Sequence, residues 1–309
     1  MPLLLNGNLT RDAILEECRP RIDAFRSRYH RAPGLAVVLA GSNSASEVYV
    51  RNKTTTAEAL GMQGATIPQP ASVTTGELLA LVHRLNADPG VDGILVQLPL
   101  PGQIDTHKVL LAVAPEKDVD GFHPINVGLL SIGRPCLRPC TPSGIIELLK
   151  RNQIPLAGRH AVVVGRSDIV GKPMAMLLLH ENATVTICHS RTRDLAAITQ
   201  TADILVAAIG RTAMITSEHI RPGTVVIDVG MNTVTDRAEA ERLFTPERTA
   251  ERLAAFDRRG SLLTGDVHPG DMARLASAYT PVPGGVGPLT IALLMRNTID
   301  AAERRMAAE

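Results

Sequence analysis

The chain has 309 residues, with 32 Lys and Arg against 31 Asp and Glu, four Phe, three Tyr and no Trp. That length allows two domains and a sizeable core. A net charge near zero and so few rings argue against nucleic acid and anionic membrane surfaces as partners. No apolar run approaches membrane-spanning length, and Met1 to Thr10 lacks the pattern of a signal peptide. Cys18, Cys136, Cys140 and Cys188 form no C-x-x-C pair, so reduced thiols and a cytoplasmic location are expected. His180-Glu181 begins a zinc-protease pattern, but Thr184 stands where the second His is needed, and no metal is expected.

In chain order, Asp12 to Arg28 is predicted as a charged helix and Leu35 to Ala40 as a buried strand. Ser44-x-x-Glu47 is a capping box for a helix over residues 45–60, ended by Gly61. Tyr49 and Lys53 share one face of that helix. Its bland account is a solvated lysine beside a half-buried tyrosine. Short-chain dehydrogenases also carry Tyr-x-x-x-Lys, but after their dinucleotide fold, and here the pair lies well before it.

Val91 to Leu98 is the next predicted strand, with Gln97 near its carboxyl end, where ligands gather in open parallel sheets. A Gln in an apolar strand needs a hydrogen-bond partner, and the Pro99-Leu100-Pro101 turn could supply one. Asp118 to Pro124 is a loop in which Asp118 or Asp120 could simply cap a turn. Cys140-Thr141-Pro142-Ser143 opens a helix to about Arg151 that leads into a second domain.

Ala161 to Leu179, AVVVGRSDIVGKPMAMLLL, reads as a buried strand, a glycine turn and a helix begun near Pro173. That arrangement offers backbone N–H groups and a positive dipole end to a phosphate. A Walker-type loop fails, because five residues separate Gly165 from Gly171 and Pro173 follows Lys172. Apolar runs recur at Thr184 to Cys188, Ile204 to Ala208 and Val225 to Val229, which means βαβ units and a parallel sheet. Counting from Ala161–Val164, the second strand ends in Cys188-His189-Ser190-Arg191 without an acid to hold a ribose hydroxyl. With Arg166 in the glycine turn, this suits a 2′-phosphate, so NADP is expected over NAD. A Rossmann-like domain without a nucleotide is the alternative. Thr233 to Gly260 is charged and helix-prone and is expected to be a surface insertion without catalytic contacts. The Gly- and Pro-rich Thr280 to Pro288 implies a fixed backbone approached closely by a ligand, and a last amphipathic helix runs to about Arg305.

These motifs, in this order, resemble the bifunctional methylenetetrahydrofolate dehydrogenase/methenyltetrahydrofolate cyclohydrolase family. The matching stretches are Ser46 to Lys53 (SEVYVRNK), Val91 to Pro101 (VDGILVQLPLP), Lys117 to Val127 (KDVDGFHPINV), the glycine-turn segment and Thr280 to Pro288 (TPVPGGVGP). Met1 to Arg31 matches poorly, and the segment after Met231-Asn232 is longer than the family's short hairpin, which rejoins near Gly265-Asp266-Val267.

The resemblance implies an α/β protein of two domains with the active-site cleft between them. Residues 1–139, completed by a C-terminal helix over 288–309, would hold the folate, and residues 140–287 would form a Rossmann-type NADP domain. It further implies cytoplasmic homodimers joined through the NADP domains, acting in one-carbon metabolism and purine biosynthesis. The implied activity is NADP-dependent oxidation of 5,10-methylenetetrahydrofolate, then hydrolysis of the methenyl product to 10-formyltetrahydrofolate. By resemblance Lys53 is the acid–base group, Gln97 orients it, Tyr49 lines the pocket and Asp120 takes hydrogen bonds from the pterin. Gly287 and Pro288 let backbone approach the substrate. Gly165, Arg166, Ser167 and Ser190 would bind the cofactor, with Met231 near the nicotinamide. A monofunctional dehydrogenase and a non-catalytic folate- or nucleotide-binding regulator are the alternatives. The Tyr49, Lys53, Gln97 and Asp120 set speaks against the regulator.

Overall fold

The computed structural model describes residues 1–41, 44–243 and 246–308; of 44–46, 48, 246–252 and 308 it describes the backbone alone. The chain opens with β1 (Leu3–Leu4) and α1 (Gly7–Tyr29), followed by β2 (Gly34–Ala40), α2 (Ser44–Ala59) and β3 (Gln63–Gln69). Next come α3 (Thr75–Ala87), β4 (Gly93–Val96), α4 (Thr106–Ala112) and α5 (Pro124–Ser131). Strands β3, β2 and β4 form a parallel sheet with β2 in the middle. All seven residues of β2 are buried, as expected of a parallel strand covered on both faces.

Alternation along β2 divides the core. Leu35, Val37 and Leu39 pack with Ile14 and Ile22 of α1, Val50 and Ala57 of α2, and Leu293 of the C-terminal helix. Ala36, Val38 and Ala40 face the other way, onto Leu78 and Val82 of α3 and Val109 of α4. The strand predicted at Val91–Leu98 is shorter than expected, because Asp92 is drawn into an ion network. Its carboxylate, 0 % exposed, accepts both guanidinium nitrogens of Arg31 (2.6 and 2.8 Å), Arg305 Nη1 (2.8 Å) and the Gly34 N–H (2.9 Å). The last ladder bond is Gln97 N–H to the Val38 carbonyl, and the Leu98–Pro99 peptide after it is cis. The Ser44 capping box lies outside the described residues.

This first unit comprises Arg11–Cys140 and the chain from Thr290 onward; a second comprises Met1–Thr10 and Thr141–Leu289. The second contains α6 (Cys140–Arg151), β5 (His160–Val164), α7 (Gly171–His180), β6 (Thr184–Cys188), α8 (Leu195–Thr199), β7 (Ile204–Ala207) and β8 (Val225–Asp228). Then follow β9 (Asn232–Val234), α9 (Arg237–Arg242), α10 (Pro246–Arg259), β10 (Leu262–Thr264), α11 (Pro269–Leu275), β11 (Ala278–Tyr279) and α12 (Gly287–Ala308). Its six-stranded sheet, β1-β11-β8-β7-β5-β6, is parallel throughout.

The expectation that residues 1–139 form one domain is corrected at the N-terminus. Met1–Thr10 belong to the second unit, because Leu3 and Leu4 pair with Ala278 and Tyr279 at the edge of its sheet. The long segment after Met231 is a two-stranded antiparallel ribbon of β9 and β10 carrying α9 and α10. Val234, Ala240, Leu243, Phe256 and Leu262 form an apolar cluster in this arm, against which Ala213 of the loop after β7 also packs. Among the described residues no helix is long and apolar enough to cross a membrane.

Candidate active site

Tyr49 and Lys53 stand one turn apart on α2. Lys53 is buried, at 8 % exposure, and its Nζ donates to Gln97 Oε1 at 2.9 Å. Gln97 Nε2 donates to the Leu98 carbonyl at 2.7 Å, so the amide is held with its oxygen toward the lysine. Sequence reasoning offered either a cap on the proline turn or a partner for the lysine; the Gln97 side chain does both. Tyr49 is half-buried, and burial raises its hydroxyl pKa.

Asp120 is carried by a tightly fastened loop. Asp118, whose carboxyl pKa is raised by burial, accepts His123 N–H at 2.8 Å and Asn126 Nδ2 at 2.9 Å. Asn126 also donates to the Pro115 carbonyl at 2.8 Å. On the other side, Asn297 Nδ2 donates to the carbonyls of Val119 and Arg138, both at 2.8 Å. Lys117, fully buried, places its ammonium on the carbonyls of Leu85, Asn86 and Asp88 at the end of α3, where cations suit the helix dipole. Burial lowers the Lys117 pKa to about 8. Among the described residues, none of these anchoring bonds engages the Asp120 carboxyl. Burial raises its pKa to about 6, with the Lys53 charge pulling it down and the Asp118 carboxylate pushing it up. Lys53 and Asp120 thus share one electrostatic environment.

In the second unit, β5 and β6 run side by side with Val164 opposite Cys188, and Gly165 N–H extends the ladder to the Cys188 carbonyl. Arg166 and Ser190 therefore project just past the carboxyl ends of adjacent strands, both exposed. Gly165 has φ 136°, and a Cβ there would stand 2.1 Å from the Ala208 carbonyl oxygen. A Cβ on Gly171 would stand 2.3 Å from the Gly165 carbonyl oxygen. Only glycine fits either position, and the turn so formed leads into the N-terminus of α7. Ser167 Oγ accepts the N–H groups of Val170 and Gly171, both at 3.2 Å, and keeps its own hydrogen to donate. The chain leaves β6 on one side of β5 and returns to β7 on the other, so the strand order reverses between β5 and β7. That switch point is where open α/β sheets bind dinucleotides. Glycine cradle, helix N-terminus, exposed Arg166 and switch point together fit a dinucleotide with a 2′-phosphate.

Gly287 and Pro288 begin α12, and a Cβ on Gly287 would meet Met231 Sδ at 3.5 Å, which brings those two predicted positions together. The loop before them is fastened by Gly7, whose N–H donates to the Gly284 carbonyl at 2.9 Å. Sequence reasoning missed Asn126, Asn297 and the buried Lys117. Asn126 lies inside the quoted KDVDGFHPINV stretch, but nothing local marks Asn297, which acts across the fold.

Residues 5–120 match the family model described as tetrahydrofolate dehydrogenase/cyclohydrolase, catalytic domain, and residues 139–306 match its NAD(P)-binding domain. A relative from Solibacter usitatus, a bifunctional protein FolD, is 61% identical over 99% of both chains. The crystal structure of a bifunctional FolD dehydrogenase/cyclohydrolase from Campylobacter jejuni is 40% identical with a TM-score of 0.88, covering 99% of this chain and 100% of that one. A methylenetetrahydrofolate dehydrogenase-cyclohydrolase from Trypanosoma brucei, solved with NADP and an inhibitor, is 38% identical with a TM-score of 0.87, covering 99% and 98%. With both domain models matched across most of its length and such relatives spanning it end to end, this chain belongs to the tetrahydrofolate dehydrogenase/cyclohydrolase family.

Proposed function

We propose that Lys53, oriented by Gln97, is the acid–base group of a bifunctional enzyme. It oxidises 5,10-methylenetetrahydrofolate to the methenyl form with NADP⁺ and hydrolyses that product to 10-formyltetrahydrofolate. The observation that carries this reading is the 2.9 Å contact from Lys53 to Gln97 in the same electrostatic environment as Asp120.

NADP⁺, when bound, accepts the hydride. The carbon that loses it sits between two nitrogens whose lone pairs stabilise the developing cation, so no base is required and positioning supplies the rate. Hydrolysis differs, since water must lose a proton and the departing ring nitrogen must gain one. In that step Lys53, its Nζ held on Gln97 Oε1, takes the proton that the attacking water loses. Lys53 then returns that proton to the departing ring nitrogen, so the exchange balances. Asp120 accepts the ring N–H and amino group of the pterin, a fork that suits a carboxylate, and Tyr49 lines the pocket. Gly287 and Pro288 offer close backbone approach to the substrate. Gly165, Ser167 and the start of α7 cradle the pyrophosphate, Arg166 and Ser190 hold the 2′-phosphate, and Met231 borders the nicotinamide.

The enzyme works as a homodimer joined through its second units. The outer edge of β6, with Ile187 exposed there, supports that reading. It acts in the cytoplasm and supplies one-carbon units to purine synthesis; four free, buried cysteines accord with a reducing compartment. The test follows each step spectroscopically: methylenetetrahydrofolate with NADP⁺ or NAD⁺, and methenyltetrahydrofolate alone. Both steps should proceed, with NADP⁺ preferred. Absence of hydride transfer with either cofactor would overturn the proposal, and hydride transfer without hydrolysis would leave a monofunctional dehydrogenase.

A further inference from the structure

Two buried carboxylates in the second unit take no part in the chemistry above. Asp266 is 0 % exposed and its two oxygens accept four N–H groups. Oδ2 takes the backbone N–H of Ile209 (2.5 Å) and Gly210 (2.9 Å), and Oδ1 takes Arg211 N–H and Asn232 Nδ2, both at 2.9 Å. Four donors match the lone pairs that a carboxylate offers. Asp228, at the end of β8, in turn fastens the segment bearing Asp266: Oδ1 accepts Asp266 N–H at 2.8 Å and Gly230 N–H at 2.9 Å, and Oδ2 accepts Val267 N–H at 3.0 Å.

The interlock demands glycine on both sides. A Cβ on Gly265 would lie 1.8 Å from Asp228 Oδ2, and one on Gly230 would lie 2.3 Å from the Asp266 nitrogen.

What Asp266 grips is the turn after β7 and, through Asn232, the turn after β8. Both turns lie beyond the carboxyl ends of strands on the β7 side of the switch point. The β5–α7–β6 half carries the glycine turn, Arg166 and Ser190, which places the pyrophosphate and the adenosine 2′-phosphate there. A dinucleotide spanning the switch point must lay its other half over β7 and β8. We propose that Asp266 is a positioning residue for hydride transfer: it touches no substrate, and it sets the Ile209–Arg211 turn and the Met231–Asn232 segment that receive the nicotinamide half. This rests on the reading that the second unit binds NADP.

The experiment separates the two halves of the cofactor in the full-length protein. In Asp266→Asn, an NH₂ group faces backbone donors and the turn must shift. A misplacement near 1 Å lowers a rate by about 10²-fold, so NADP⁺ should bind at least about tenfold more weakly and hydride transfer should slow by about 10²-fold. Binding of adenosine 2′,5′-bisphosphate, which lacks the nicotinamide half, should stay within about twofold, as should hydrolysis of methenyltetrahydrofolate without cofactor, since neither needs that placement. Asn232→Ala, which removes one donor and leaves the backbone bonds, should give the same pattern more weakly, and it carries the test if Asp266→Asn does not fold. Equal weakening of NADP⁺ and the bisphosphate would show a purely structural role and overturn the inference, as would no change in either. Failure of the unaltered protein to bind both molecules would overturn the cofactor reading and this inference with it.

Discussion

Lys53 Nζ donates to Gln97 Oε1 at 2.9 Å, and the amide nitrogen of Gln97 is fixed on the Leu98 carbonyl at 2.7 Å. Lys53→Met keeps much of the stem's volume and removes the amine, so it should damage the two reactions unequally. Loss of acid–base help should slow the cyclohydrolase by about 10²–10⁴-fold. The dehydrogenase should lose less, through poorer substrate placement. Separate assays of each step on the folded variant decide the matter. Full cyclohydrolase activity in Lys53→Met would remove Lys53 from the mechanism.

Asp120 gives a pH signature. Its carboxyl is raised to about 6, chiefly by burial, so it is ionised at neutral pH and takes up a proton as the medium is acidified through that value. Only an ionised carboxylate can accept both N–H groups of a pterin, the role proposed for Asp120. The KM for the tetrahydrofolate substrate should therefore rise below about pH 6, by up to about tenfold per unit, in both reactions. Asp120→Asn should weaken both substrates at neutral pH and flatten this dependence. KM profiles between about pH 5 and 8 check it; an unchanged slope in the variant would assign the titration elsewhere.

The choice between cofactors is tested at Arg166. If Arg166 holds the 2′-phosphate as proposed, Arg166→Ala should raise the dissociation constant of NADP⁺ more than that of NAD⁺. Titration of both nucleotides against the variant gives the ratio. Equal losses would deny Arg166 that role.

Asp92 concerns stability alone. It is fully buried between Arg31 and Arg305, with guanidinium distances of 2.6–2.8 Å. Removing one partner of such a group strands the others, and since both arginines are partly exposed the cost of Asp92→Ala should lie near the low end of the usual range, about 3 kcal/mol. Urea denaturation measures it. A loss below about 1 kcal/mol would mean the arginines find water easily.

The arm between β9 and β10 is expected to be dispensable for the chemistry, although Ala213 packs against its apolar cluster. Replacing residues 236–260 by a short turn should leave both activities within about tenfold, roughly 1.4 kcal/mol of barrier. Total loss in a protein that still folds would place the arm in the catalytic machinery.

Much of this architecture is legible in the sequence because its strands are short apolar runs between helices. The runs at Thr184–Cys188 and Ile204–Ala208 correspond almost residue for residue to β6 and β7. Strand β3 escaped notice for the opposite reason: as an edge strand it is half exposed, carries Pro68 and reads QGATIPQ, without an apolar stripe. Strand β1, two residues long, has no periodicity to read, and its partner β11 lies at the far end of the chain. In the site, Tyr49 and Lys53 were joined by helical spacing, but the orientation of the Gln97 amide and the braces on Asp120 depend on contacts between distant segments. Local patterns carry no trace of Asn297 reaching Val119.

The pairing of Leu3 with Ala278 governs how the protein emerges from the ribosome. The first strand of the six-stranded sheet is made at the outset and must wait for nearly the whole chain before its neighbour exists. At about 5–20 residues per second, that wait is of order tens of seconds. The first unit is in a matching position, since its core around β2 is filled by Leu293 and its neighbours from the last helix. The edge strand β1 can therefore join its sheet, and Leu293 the core around β2, only once most of the chain has been made. Both cores are thus completed late in synthesis, after the long-range partners of β1 and β2 exist.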